Sequence, residues 1–194
     1  PNWAADNLVV ANNLLLEVEA NLNLEIAGRF IYSGANFTQA PVVDMRTLNV
    51  YAATEIGTAN TVETSPTVPE MIFDSAGPSA QSYHATYTGT GSINTNAYEE
   101  ANVTISDSQA VGYGITATAP AFQNLIDSIF RFKSATQAGL TEAQRRSFLT
   151  EARNLANSAR DQLRQLQASN GIVLNEVAGA RDLHVNFINI SKTA

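Results

Sequence analysis

Two histidines, His84 and His184, are the first places to look for chemistry, and the chain holds no cysteine. Without thiols there is no disulfide framework, no zinc-thiolate site and no thiol nucleophile. His184 falls on the apolar stripe of the last predicted helix, the position of a packed or interface histidine. His84 alternates opposite tyrosines in a predicted strand and is expected to face water. Neither has a nearby partner for a Ser-His-Asp relay. There is no G-x-S-x-G elbow, no P-loop and no G-x-G-x-x-G opening a helix. TGTGS (Thr88–Ser92) is rich in glycine but falls between strands, where it reads as a turn. Glu99, Glu100 and Asp107 are close enough in sequence to hold a cation. Adjacent carboxylates on a strand point to opposite faces, however, so a solvated turn is expected rather than a metal site. Asn36-Phe37-Thr38, Asn102-Val103-Thr104 and Asn189-Ile190-Ser191 match the glycosylation tripeptide, a match that an Asn- and Thr-rich chain produces by chance. The expectation is a protein that is not an enzyme, with no catalytic residue, no metal and no cofactor.

Arg146, Arg153, Arg160 and Arg164 form the one regular charged pattern. At 100° per residue they cluster on one flank of a helix, about a quarter turn from its Leu/Ala stripe. Two readings stand. One is a solvated face with local pairing, such as Glu142 with Arg146. The other is a row of bidentate donors aimed at carboxylates of another helix or subunit, with Glu17, Glu19 and Glu25 as targets. If exposed, each pair adds only about 0.2–1 kcal/mol and would set register rather than strength.

These residues sit on a frame that the hydrophobic pattern outlines. Asn2 is a good N-cap for a helix from about Trp3 to Tyr32. Leu8, Ala11, Leu15, Val18, Leu22, Ile26 and Phe30 recur at three- and four-residue steps and make one stripe. Val9, Leu14, Leu16 and Leu24 lie off it, more apolar surface than a helix covered on one side needs. Ser33-Gly34 ends the helix and Pro41 prevents an easy restart. From Ala35 to about Thr118 the signals are strands and turns. SYHATYTG alternates as a half-buried strand, short strands are expected near Val50 and Ile72, and ANVTIS turns through DSQ into AVGYGITAT as a hairpin. Helices return at Pro120, which suits a first turn, with Phe122, Leu125, Ile126 and Ile129 as the apolar face. Thr141 and Gln144 form a capping box for the next helix. Its stripe of Leu149, Ala152, Leu155, Ala156, Ala159, Leu163 and Leu166 runs to about Ala168. Ser169–Gly171 reads as a loop or junction before a last helix, Ile172 to about Thr193.

The predicted class is therefore α+β: an elongated helical rod in which the N- and C-terminal long helices pack as an antiparallel bundle, with an inserted β-rich domain. Residues 1–34 and 119–194 form the discontinuous helical domain, and 35–118 the insertion with its return hairpin. The packing and assembly residues are Leu8, Leu15, Leu22, Ile26, Phe30, Leu149, Leu155, Leu163 and Leu166. Charged residues make up only 15% of the 194, and the net charge is −7. A polar surface of Asn, Thr, Ser and Gln with so little charge suits molecules that pack against copies of themselves. The negative balance argues against a nucleic-acid partner. No apolar run approaches the ~20 residues of a membrane helix. The chain starts at Pro1 without Met and is expected to be a piece cut from a longer one, so the missing signal peptide says little about export.

AGRFIYSG (Ala27–Gly34) resembles the signature of bacterial flagellins and hook-filament junction proteins, with Gly28, Arg29, Phe30, Ser33 and Gly34 at its characteristic places. VTISDSQAVGYGITATAPAFQNLIDSI (Val103–Ile129) is similar to their return hairpin and the helix after it, and LNEVAGARDLH (Leu174–His184) to their C-terminal helix. The likeness covers about two thirds of the chain; residues 53–78 have no counterpart. Its wording is nearer to the junction proteins than to filament flagellins. The resemblance implies a secreted structural subunit of the flagellum that polymerises between hook and filament. Its partners would be copies of itself, an adjacent hook-associated protein, flagellin and an export chaperone, with no nucleic acid and no membrane insertion. It implies extracellular location through the flagellar type III apparatus and loss of the outermost terminal segments from this piece. The alternative is a filament flagellin or flagellin-like surface protein whose β region, with Tyr83, Tyr87, Tyr98 and Tyr113, binds a glycan or host ligand.

Overall fold

Asn2 opens the first helix as its sequence predicts: the Ala5 amide donates to Asn2 Oδ1 at 3.4 Å. The computed structural model describes residues 2–58, 83, 100–106 and 109–193. Helix α1 covers Trp3–Leu22, about 30 Å, and stops ten residues short of Tyr32. Asn23 explains the stop. Its side chain donates to the Val42 carbonyl and accepts from the Val42 amide, both at 3.0 Å. The chain then makes a miniature antiparallel hairpin, β1 (Glu25–Ile26) and β2 (Arg29–Phe30). Ala27 and Gly28 form its two-residue turn, with φ of 52° and 79°. Positive φ at both central positions is the type I′ requirement that matches strand twist. Leu24, Ile26 and Phe30 are therefore not helical: the four-residue spacing that reads as a stripe also fits a hairpin.

Residues after Gly34 do not form the strand expected near Val50. They make two 3-10 turns, Met45–Thr47 and Ala53–Glu55, and send Val42, Met45 and Tyr51 into the core beside Leu15, Ile126 and Phe130. Tyr83 is buried there too, its hydroxyl donating to the Ala117 carbonyl. The rest of SYHATYTG, the expected strand near Ile72, and Tyr87, Tyr98, Glu99 and Asp107 lie outside the described residues. The return hairpin is present: β3 (Ala101–Ser106) pairs antiparallel with β4 (Gln109–Tyr113), with a register irregularity near Ser106.

Helix α2 (Pro120–Ser134) starts at the proline, and α3 (Glu142–Thr193) is one helix of 52 residues, about 78 Å. The Thr141 hydroxyl accepts from the Gln144 amide at 3.2 Å, and Gln144 Oε1 accepts from the Thr141 amide at 2.9 Å. That is the reciprocal capping box. Ser169–Gly171 does not break the helix. A single Gly costs only about 1 kcal/mol in a helix interior, and without a proline the hydrogen-bond ladder runs through.

The described chain is α+β, dominated by three helices with small two-stranded pieces. Direct pairing of the first helix with the last is not what links them. α2 packs against α1 on one side and, more extensively, against α3 on the other. Asn124 meets Gln162 and Arg131 meets Glu151, so α2 and α3 run antiparallel. Trp3 lies by Arg145, and Leu14 shares a shallow groove with Leu149, Ala152 and Ala156. α1 and α3 thus run in the same direction where they approach, because α2 reverses the chain between them.

Candidate functional site

Two features stand out: an outer apolar face and a buried polar cluster. On α1 only Ala11, Leu15 and Leu22 are buried. Val9 is 58% exposed, and Leu8, Val10, Leu14 and Leu16 are each above a third. A helix packed on one side buries one stripe, so the remainder of this apolar surface faces outward. On α3, Leu149, Leu155, Leu163 and Leu166 are half-buried, while Ile172 and Leu174 are 61% and 70% exposed. Of the predicted packing residues, Leu15 and Leu22 reach the core and Leu149 packs against it. Leu8 and Ile26 stand outside it, and Phe30 is half-buried.

The arginine row is exposed. Arg146 pairs with Glu142 at 2.7 Å, and Arg160 and Arg164 both reach Asp161. No ion pair joins these arginines or Arg153 to Glu17, Glu19 or Glu25 among the described residues, and Glu25 belongs to β1 rather than to α1. Within one molecule the pairing is local.

The buried cluster centres on Arg131, which is only 1% exposed. α2 presents it between α3 and the loop that holds Glu55 and Thr58. One terminal nitrogen donates to the Glu55 carbonyl and to Glu151, both at 2.9 Å; the other donates to the Thr58 carbonyl at 3.1 Å. The guanidinium lies 3.6 Å from the centre of the Tyr51 ring, within cation–π range. One turn earlier, Asp127 is fully buried, 3.5 Å from Arg131 Nε, and its Oδ1 accepts from the Tyr51 hydroxyl. Its Oδ2 has no partner. Burial pushes the Asp127 carboxyl up to about 6, against the pull of Arg131. The same burial, with Asp127 alongside, raises the Tyr51 phenol. Glu151 also accepts from the Gly57 amide at 2.8 Å. Ser134 and Gln137 hold the two backbone sides of Tyr51.

Sequence reasoning missed this cluster. Gln123, Asn124, Asp127, Ser128, Arg131 and Ser134 look like the wet side of an amphipathic helix, yet all are buried. The only local signal is the Asp127/Arg131 spacing of four.

The signature residues also acquire physical roles. Gly28 supplies the turn. Arg29 stacks on Phe37 at 3.9 Å. Ser33 is buried and donates to the Phe30 carbonyl at 2.9 Å. A cleft of about 320 Å³ lies between this hairpin and Ala101, Gly114 and Thr116.

His184 falls within α3, and His84 lies outside the described residues. Among the described residues no group of carboxylates and histidines could hold a metal ion, and no helix is long and apolar enough to cross a membrane. Comparison with protein-family models, curated proteins and solved structures finds no match.

Proposed function

We propose that the chain is a structural, self-associating subunit of the bacterial flagellum, built as a helical rod and acting at the junction between hook and filament as the third hook-associated protein does. The carrying observation is the outward apolar face of α1, with Val9, Val10 and Leu16 exposed on a well-capped helix. Exposed apolar surface of this kind marks an interaction site, and low charge lets like surfaces approach. The signature Ala27–Gly34 supports the placement, since Gly28, Arg29 and Ser33 each have a structural role in or beside the turn that follows α1. On this reading the protein is exported to the cell exterior, and its partners are further copies, a neighbouring hook-associated protein, flagellin and an export chaperone.

The test is a double substitution, Val9→Glu with Leu16→Glu, in the native protein. The expected result is unchanged helical content with loss of filament attachment. A folded variant that still joins filament to hook would overturn the proposal. The reading of the β region as a glycan-binding surface loses one of its four aromatic residues, because Tyr83 is buried and hydrogen-bonded to the backbone.

A further inference from the structure

Residues 51–58 cross α2 and α3; Tyr51 and Ile56 pack on the core, and polar contacts hold the rest of the segment. Tyr51 is fixed by Ser134, Gln137, Asp127 and the Arg131 guanidinium. Glu55 and Thr58 give their carbonyls to Arg131, and Gly57 gives its amide to Glu151. We propose that this segment is a pH-sensitive strap, latched by Arg131 and tightened when Asp127 takes up a proton. The inference does not depend on the assembly reading, and it concerns a segment inside the predicted insertion, 35–118.

Charge balance carries the argument. The groups facing Asp127 are Arg131 from its own helix, Glu151 from α3, and Tyr51 from the strap. Lys133, also on α2, donates its ammonium to the Arg46 carbonyl at 3.2 Å. One guanidinium therefore serves two carboxyl groups, Asp127 and Glu151, of which Asp127 is fully buried, while the buried Glu55 carboxyl accepts from the Ala52 amide. A buried carboxylate needs donors for both oxygens. Asp127 has one hydrogen bond, from Tyr51, and its Oδ2 is orphaned. Arg131 Nε, 3.5 Å away, makes no hydrogen bond to it. Such a site suits the protonated acid better than the anion.

The sign follows from linkage. The latched state holds the Asp127 proton up to about pH 6, whereas a carboxyl released to water loses it near 3.8. The latched state thus binds more protons between those values, so opening becomes easier as the pH rises. With these two values the opening constant grows roughly tenfold between pH 5 and 7.5.

The experiment is amide hydrogen exchange of the intact chain at the two pH values, each rate divided by its intrinsic rate. Tyr51 and Gly57 report the strap, and Phe130 in α2 reports opening of the core. The expected result is roughly tenfold more strap opening at pH 7.5, with Phe130 unmoved. A flat or reversed strap response overturns the proposal, as does an equal change at Phe130, which would be global loosening. The wild-type titration needs no variant. Asp127→Asn supplies the second arm: its strap should open equally at both pH values, and a retained dependence also overturns the proposal.

Discussion

Replacing Arg131 by methionine tests whether one cation organises the core around α2. Methionine keeps much of the length and the apolar stem while removing the charge and five donors. Asp127 then stays buried without a cation, and Glu151 keeps only the Gly57 amide. Breaking a buried ion pair by removing one partner costs about 3–5 kcal/mol. The Glu55 and Thr58 carbonyls lose their donors as well, at about 1 kcal/mol each unless water replaces them. Thr58 is only half-buried, so water recovers part of that. The net expectation is a loss of about 3–5 kcal/mol, a third or more of the stability of an ordinary domain. Urea denaturation followed by circular dichroism reads it directly, as a lower midpoint with an unchanged slope. Asp127→Asn in the Arg131→Met background should recover part of the loss, because it removes the orphaned charge. A loss below about 1 kcal/mol, the range of exposed pairs, would show that the guanidinium is solvated in solution and would refute the reasoning.

Other substitutions probe separate links. Gly28→Ala should cost about 1 kcal/mol through backbone strain alone, since nothing lies within 4 Å of the added methyl, while Ala27→Asn should be neutral or stabilising in the same urea melts. Leu15→Ala, at a fully buried site, should cost about 2–5 kcal/mol, whereas Val9→Ser on the same helix should stay within about 0.5 kcal/mol; equal effects would contradict the assignment of faces. Thr141→Ala removes the hydroxyl that caps α3 and should cost about 1 kcal/mol, measured by thermal unfolding.

Much of the chemistry between residues close in sequence was readable. The Asn2 cap, Pro120 in the first turn of α2, the Thr141–Gln144 box and the β3–β4 hairpin are of this kind. What was not readable depends on partners far along the chain. α1 ends because Asn23 bonds to Val42, nineteen residues later. The turn at Ala27–Gly28 is hidden because Leu22, Ile26 and Phe30 continue the helical spacing across it. The Arg131 cluster joins α2 to groups twenty to eighty-three residues distant. Binary patterning assigned its polar residues to solvent, since pattern reports polarity and not burial. At Ser169–Gly171 the error ran the other way: turn-forming residues suggested a break that low propensity alone cannot enforce.

The length of α3 provides a last test, because the described side chains beyond Leu166 are exposed apart from Val173. α2 has 15 residues and α3 has 52. The lowest cross-contact, Asn124 to Gln162, and the cleft between Pro120 and Leu166 put the end of α2 near Leu166. Beyond it, Gln167 to Ile172 are all exposed, as are Leu174 and Val185; β4 touches α3, and Val173 is half-buried. A helix without tertiary packing is marginal in water even at this length. It also carries Gly171 and Gly179, each costing about 1 kcal/mol relative to alanine. Amide exchange along α3 should therefore be slow from about Phe148 to Gln162 and faster by a hundredfold or more past residue 175, the equivalent of about 3 kcal/mol of lost packing. Copies that pack side by side would erase that gradient. A lone chain whose amides near residue 180 exchange as slowly as those near Leu155 would mean that this half of the helix already has a partner within the molecule, and the exposed face would no longer argue for assembly.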